Sequence, residues 1–89
     1  MKLNVTIELL QRGRWIIAKI PELDFVAQGR TIEEAKKNLS EVVDIQFSEM
    51  KERGVFEEYL TERGFLIREG TIEPDHEVVG FEKHTLQVA

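Results

Sequence analysis

Two histidines, two serines and a scatter of carboxylates are the side chains with which this sequence could do chemistry. Asp75-His76-Glu77 offers imidazole and carboxylate, both competent zinc ligands if His84 joined them. Adjacent residues of a strand point to opposite faces, so a polar loop running into a strand is the simpler reading of that cluster. Ser40 and Ser48 fall inside a helical pattern, and neither histidine stands at a spacing that suggests a hydrolase triad. A two-metal nuclease needs carboxylates gathered on one sheet face. The strands supply Glu8 alone, with Glu22 and Asp24 in a loop, whereas Glu33, Glu41 and Asp44 read as a solvated helix surface. Gly29-Arg30-Thr31 precedes a helix but makes no glycine-rich phosphate cradle. The expectation is a protein with no catalytic, metal or cofactor site, and a small metal-binding or hydrolytic enzyme is the weaker alternative.

The elements that would position these groups follow from hydrophobic periodicity. Leu3, Val5, Ile7 and Leu9 alternate with Asn4, Thr6 and Glu8, the pattern of a half-buried strand. Gly13 supplies a turn, and Trp15 to Ile20 returns as a second strand of a hairpin. Ile16, Ala18 and Ile20 form its core face. Trp15 and Ile17 make the start of the other face apolar too, which predicts cover on both sides. Pro21 ends this strand, Glu22-Leu23-Asp24 forms a loop, and Phe25 to Gln28 makes a third extended segment broken by Gly29. Thr31-Ile32-Glu33-Glu34 has the form of a capping box. In the helix it starts, Ile32, Ala35, Leu39, Val42, Val43, Phe47 and Met50 share one stripe. Gly54 terminates it, and Val55, Phe56, Tyr59 and Leu60 mark a short second helix closed by Gly64. Phe65-Leu66-Ile67 reads as a strand and Gly70 to Asp75 as a loop. Between Val78 and Ala89 the apolar positions change phase, from Val79 and Phe81 to Leu86 and Val88, which predicts a bulge or a change of partner sheet. The order predicts an α+β domain, β-β-β-α-β, with one main helix on an antiparallel sheet.

A chain of 89 residues fits one domain. Its 42% hydrophobic and 33% charged residues are those of a folding globular protein. The absence of cysteine removes disulfides and thiolate chemistry. With no signal-peptide pattern and no apolar run near a membrane span, the reading is a soluble, cytoplasmic protein. The net charge of -5 is unevenly placed: residues 1–31 carry +2, residues 32–63 carry -4 and residues 64–89 carry -3. That balance opposes direct nucleic-acid binding, and Arg12, Arg14 and Arg30 read as turn residues.

Arg14-Trp15-Ile16-Ile17-Ala18-Lys19-Ile20-Pro21-Glu22-Leu23, followed by Gln28-Gly29-Arg30-Thr31-Ile32-Glu33-Glu34-Ala35, resembles the N-terminal domain of HicB-family antitoxins. The shared devices are Pro21, Gly29, Thr31, Glu34 and Ala35, the last letting the helix approach the sheet. The resemblance covers about the first half of the chain. It implies a partial ribonuclease-H-like fold, no active-site carboxylate set, and binding to a small basic HicA-like messenger-RNA interferase. Many HicB proteins add a DNA-binding module, for which the segment after Gly64 reads as too short.

The resulting expectation is a single HicB-like domain over residues 1–89 that acts by protein association, either neutralising a basic toxin or serving as a stand-alone homo-oligomeric domain. Glu41, Asp44, Glu52, Glu57 and Glu58 are the candidates for a basic partner, since acidic surfaces steer such encounters. Trp15, Ile17, Phe81, Leu86 and Val88 are the candidates for self-association into a dimer or tetramer, with the extended segment 65–89 reaching another subunit.

Overall fold

A computed structural model of the chain describes residues 2–88. It is an α+β domain with three antiparallel strands, β1 (Glu8–Arg12), β2 (Trp15–Ile20) and β3 (Phe25–Gly29), in the order β1-β2-β3. A long helix α1 (Ile32–Glu52) and a short helix α2 (Phe56–Glu62) follow, then a two-stranded sheet of β4 (Phe65–Arg68) and β5 (Thr71–Pro74). The expected order of strands and helices is present.

The connections are tight. β1 and β2 meet across Gly13-Arg14, with Arg12 opposite Trp15. Gly13 has φ +62° while Arg14 stays negative, the pattern of a type II′ turn. Ile20 to Leu23 makes a turn closed by Leu23 N–H donating to the Ile20 carbonyl at 3.2 Å, with Pro21 at the position that suits its fixed φ. Glu69 and Gly70, both with positive φ, join β4 to β5 in the manner of a type I′ turn.

Thr31 caps α1: its backbone is extended and its Oγ1 accepts from the Glu34 N–H at 3.0 Å. Among the described residues the reciprocal bond from Glu34 to the Thr31 amide is not made. Thr31→Ala should therefore lower stability by about 1 kcal/mol, readable as a lower urea midpoint with an unchanged slope. At the other end Gly54, at φ +70°, donates to the Lys51 carbonyl while Val55 N–H donates to Met50, the two bonds of a Schellman motif.

α1 covers one face of the three-stranded sheet. Ala18, Ile20, Leu23, Phe25, Ala35, Leu39, Phe56, Leu60 and Phe65 form the buried core. Gly29 and Ala35 set the closest approach: a Cβ on Gly29 would lie 2.5 Å from the Ala35 backbone nitrogen. Gly29 ends β3 in a buried position, and its φ is not positive. Its role is thus clearance for the helix rather than the chain break expected from sequence. Phe47 bridges Phe25 and Phe56, with ring centroids 5.9 and 5.0 Å away, and carries the core from sheet to α2. The Tyr59 hydroxyl donates to the Leu23 carbonyl and fastens α2 to the β2–β3 loop.

Several expectations are corrected. β1 begins at Glu8, not Leu3; Leu3 and Val5 pack on the core as irregular chain. That segment is held by Glu22, whose carboxylate accepts from the Thr6 N–H at 3.0 Å and its hydroxyl at 2.8 Å. Ile32, expected on the core stripe, is 46% exposed at the first position of α1. The expected loop from Gly70 contains β5, and residues 75–88 contain no strand. Ala89, the end of the expected terminal strand, lies outside the described residues, as does Met1.

Candidate functional site

The acidic candidates sit on helices and all are exposed. Because α1 buries Ala35 and Leu39 and leans Val42, Val43, Phe47 and Met50 on the core, its opposite face is turned to solvent. Glu41 and Asp44 stand one turn apart on that side, where residues three apart are neighbours. Glu52 lies about 12 Å farther along at 1.5 Å per residue. Glu57 and Glu58 open α2 after the Gly54 turn. Among the described residues none of the five is ion-paired.

Within this acidic surface stands Ile45, 64% exposed. Glu41 and Glu49 flank it one turn to either side, and Glu49 is held by Arg53 at 3.6 Å. Ile45 is thus an exposed apolar side chain with carboxylates as its neighbours along the helix. The sequence signal for it was available: Ile45 is apolar and lies off the core stripe.

The self-association candidates divide between two surfaces. Trp15 and Ile17 lie on the sheet face away from α1, together with Leu10, directly opposite Ile17, and Val26. Trp15 is 41% exposed, so the expected cover is absent within the described chain. Arg12 faces Trp15 across the hairpin, and the Arg30 guanidinium lies 5.9 Å from the indole centre. Three arginines, Arg12, Arg14 and Arg30, thus gather around one indole at the basic end of the molecule. Phe81, Leu86 and Val88 lie in the C-terminal segment, 61%, 82% and 91% exposed, and the chain does not bring them onto Trp15 or Ile17.

The chemistry-bearing cluster is dispersed. His76 Nδ1 contacts its neighbour Asp75, His84 lies 3.7 Å from Glu82, and no group of three or more His, Asp or Glu is placed to hold a metal among the described residues. Glu22, His76 and Glu77 do share a shallow cleft with Asn4, Val5 and Thr6, but the Glu22 carboxylate is occupied by Thr6. No helix among the described residues is long and apolar enough to cross a membrane. No family model, curated protein or solved structure matches this chain.

Proposed function

We propose that this chain is a non-enzymatic, HicB-like antitoxin-type protein that binds and neutralises a small basic HicA-like messenger-RNA interferase through the outer face of α1. The observation that carries the reading is exposed Ile45 set among unpaired Glu41, Asp44 and Glu52. Carboxylates would speed encounter with a cationic partner, an effect screened over about 10 Å at 0.1 M salt, and the isoleucine would supply the desolvated contact. The β-β-β-α-β order and the Pro21, Gly29, Thr31 and Ala35 devices support the family assignment.

The test is co-expression with a small basic HicA-like toxin encoded in the same genome. Growth should be restored by the native chain and lost with the double variant Glu41→Lys, Asp44→Lys, whose circular dichroism stays native. Rescue by the charge-reversed chain overturns the assigned face. Failure of the native chain to rescue overturns the toxin reading. Self-association is a second reading, favoured by the exposed Leu10, Trp15 and Val26 on the sheet face away from α1.

A further inference from the structure

We infer that the sheet face turned away from α1 is a binding site for single-stranded nucleic acid, with a base stacked on Trp15 and its flanking phosphates held by Arg12 and Arg30. The site lies on the other side of the sheet from the α1 face assigned to the toxin, and either can fail without the other. The strand registers place the three side chains in one row. Arg12 of β1 is directly opposite Trp15 of β2, and Arg30 follows Gly29, the residue of β3 paired with Ile16. Strands lie about 4.8 Å apart, so the two arginines leave the backbone about 10 Å from each other with the indole between them. Arg14, in the hairpin turn, lines a recess of about 360 Å³ with Trp15 and Arg30. That volume falls within the roughly 300–1,000 Å³ of small-ligand sites.

The chemistry of the row is that of a base between two phosphates. Trp15 is exposed, and every nucleobase has a π-face that stacks on such a ring. Guanidinium groups grip phosphate oxygens in pairs, and that of Arg30 already stands 5.9 Å from the indole centre. Among the described residues Arg12, Arg14 and Arg30 make no ion pair, so all three charges are uncommitted. In the next row Leu10, Ile17 and Gln28 stand side by side. The two aliphatic side chains extend the apolar floor, and the Gln28 amide offers a donor and an acceptor to a base edge. An acidic peptide would engage the arginines and leave the indole unused. A two-fold contact centred on Trp15 would set the arginines of two copies against each other.

The net charge of -5 opposes such a ligand when averaged over the chain, but the fold separates the charges. α1 covers the opposite face of the sheet, so Glu41 and Asp44 on its outer side are divided from Trp15 by the sheet and by a helix about 10 Å across. Screening at 0.1 M salt acts over about 10 Å. Within β1, β2 and β3 the one carboxylate is Glu8. It shares the Trp15 face but stands four residues from Arg12, about 13 Å along the strand, with Lys19 directly opposite. Glu33 and Glu34 open α1 just beyond Arg30 and make no ion pair with it among the described residues.

The experiment titrates the full chain at low salt with oligoadenylate about ten nucleotides long. It follows the fluorescence of Trp15, the one tryptophan of the chain, and the anisotropy of a labelled oligonucleotide. Binding should quench the tryptophan, and the logarithm of the affinity should fall against that of salt with a slope of about -1.4 to -2.1, the value for two or three phosphates of a single strand. Trp15→Leu should weaken binding about 5- to 150-fold, and Arg14→Gln should flatten the slope by about 0.7. Both positions are exposed, so native circular dichroism is expected in each variant. No binding at low salt overturns the site, as does binding that leaves Trp15 fluorescence and the Trp15→Leu affinity unchanged. Polyglutamate competing as well as oligoadenylate overturns the nucleic-acid assignment in favour of an acidic polypeptide. A dimer that Trp15→Leu dissociates in sedimentation, with no oligonucleotide bound, overturns it in favour of a second copy.

Discussion

Replacing Gly29 with alanine should destabilise the domain by about 3 kcal/mol or more, although it adds a single methyl group. That methyl would sit 2.5 Å from the Ala35 nitrogen and 2.9 Å from the Glu34 carbonyl carbon. These are backbone atoms, so no side-chain rotation relieves the clash. The first turn of α1 must lift from β3, which opens the packing of Ala35 and Leu39, both essentially inaccessible to solvent. It also strains the bond from Asn38 Nδ2 to the Gln28 carbonyl, 2.8 Å in length. For a domain of this size each kcal/mol lowers the melting temperature by roughly 4–8 °C, so a fall of at least about 12 °C is expected by calorimetry. Gly80→Ala is the control. A Cβ there meets nothing within 4 Å and its φ is not positive, so its melting temperature should match the parent. A Gly29→Ala protein as stable as Gly80→Ala would refute the clearance argument.

Phe65→Ala should remove about 3–5 kcal/mol, the usual loss for truncating a buried phenylalanine. At 0.05–0.15 kcal/mol per residue the whole domain is worth roughly 4–13 kcal/mol, so this variant stands close to global unfolding at room temperature. Phe65 is 2% exposed and belongs to the same buried cluster as Phe56 and Leu60 of α2, so the small sheet is joined to the main body through it. Leu66→Ala, on the opposite face of the same strand and 43% exposed, should change stability by less than about 1 kcal/mol. Urea unfolding followed by tryptophan fluorescence reads both, since Trp15 lies in β2 and senses global loss of structure. If Phe65→Ala leaves that transition in place, β4 and β5 are an independently melting appendage rather than part of one cooperative unit.

Much of this architecture was readable from local chemistry. Pro21, Thr31 and Gly54 each act at the position their chemistry predicts, because turn, cap and Schellman geometry depend on a few neighbouring residues. What could not be read depended on distant parts. The alternation from Leu3 is a good strand pattern, but Glu22 captures the Thr6 amide and holds the segment as irregular chain. β5 hid behind Glu69-Gly70, since glutamate is an uncommon first residue for a type I′ turn and the segment ends on Pro74. Gly29 looked like a breaker, because clearance of 2.5 Å is a relation between two elements that no single segment records. The acidic candidates were legible as a charge bias on α1 and α2. Ile45 among them is also legible, as an apolar residue off the core stripe of α1, and the structure leaves it 64% exposed. The apolar start of β2 predicts cover on both faces, but among the described residues Ile17 is half-buried and Trp15 stays 41% exposed.

The connections within the first half of the chain set the order in which it takes shape. Two residues join β1 to β2, four join β2 to β3, and two join β3 to α1. Each element therefore meets its neighbour after closing a short loop, and loop-closure entropy rises with loop length. Proteins rich in such near-neighbour contacts fold fast. During synthesis, which proceeds from the N-terminus, the hairpin and α1 can collapse before β4 and β5 exist. The edge of β1 is then formed before the residues that follow Gly64 exist.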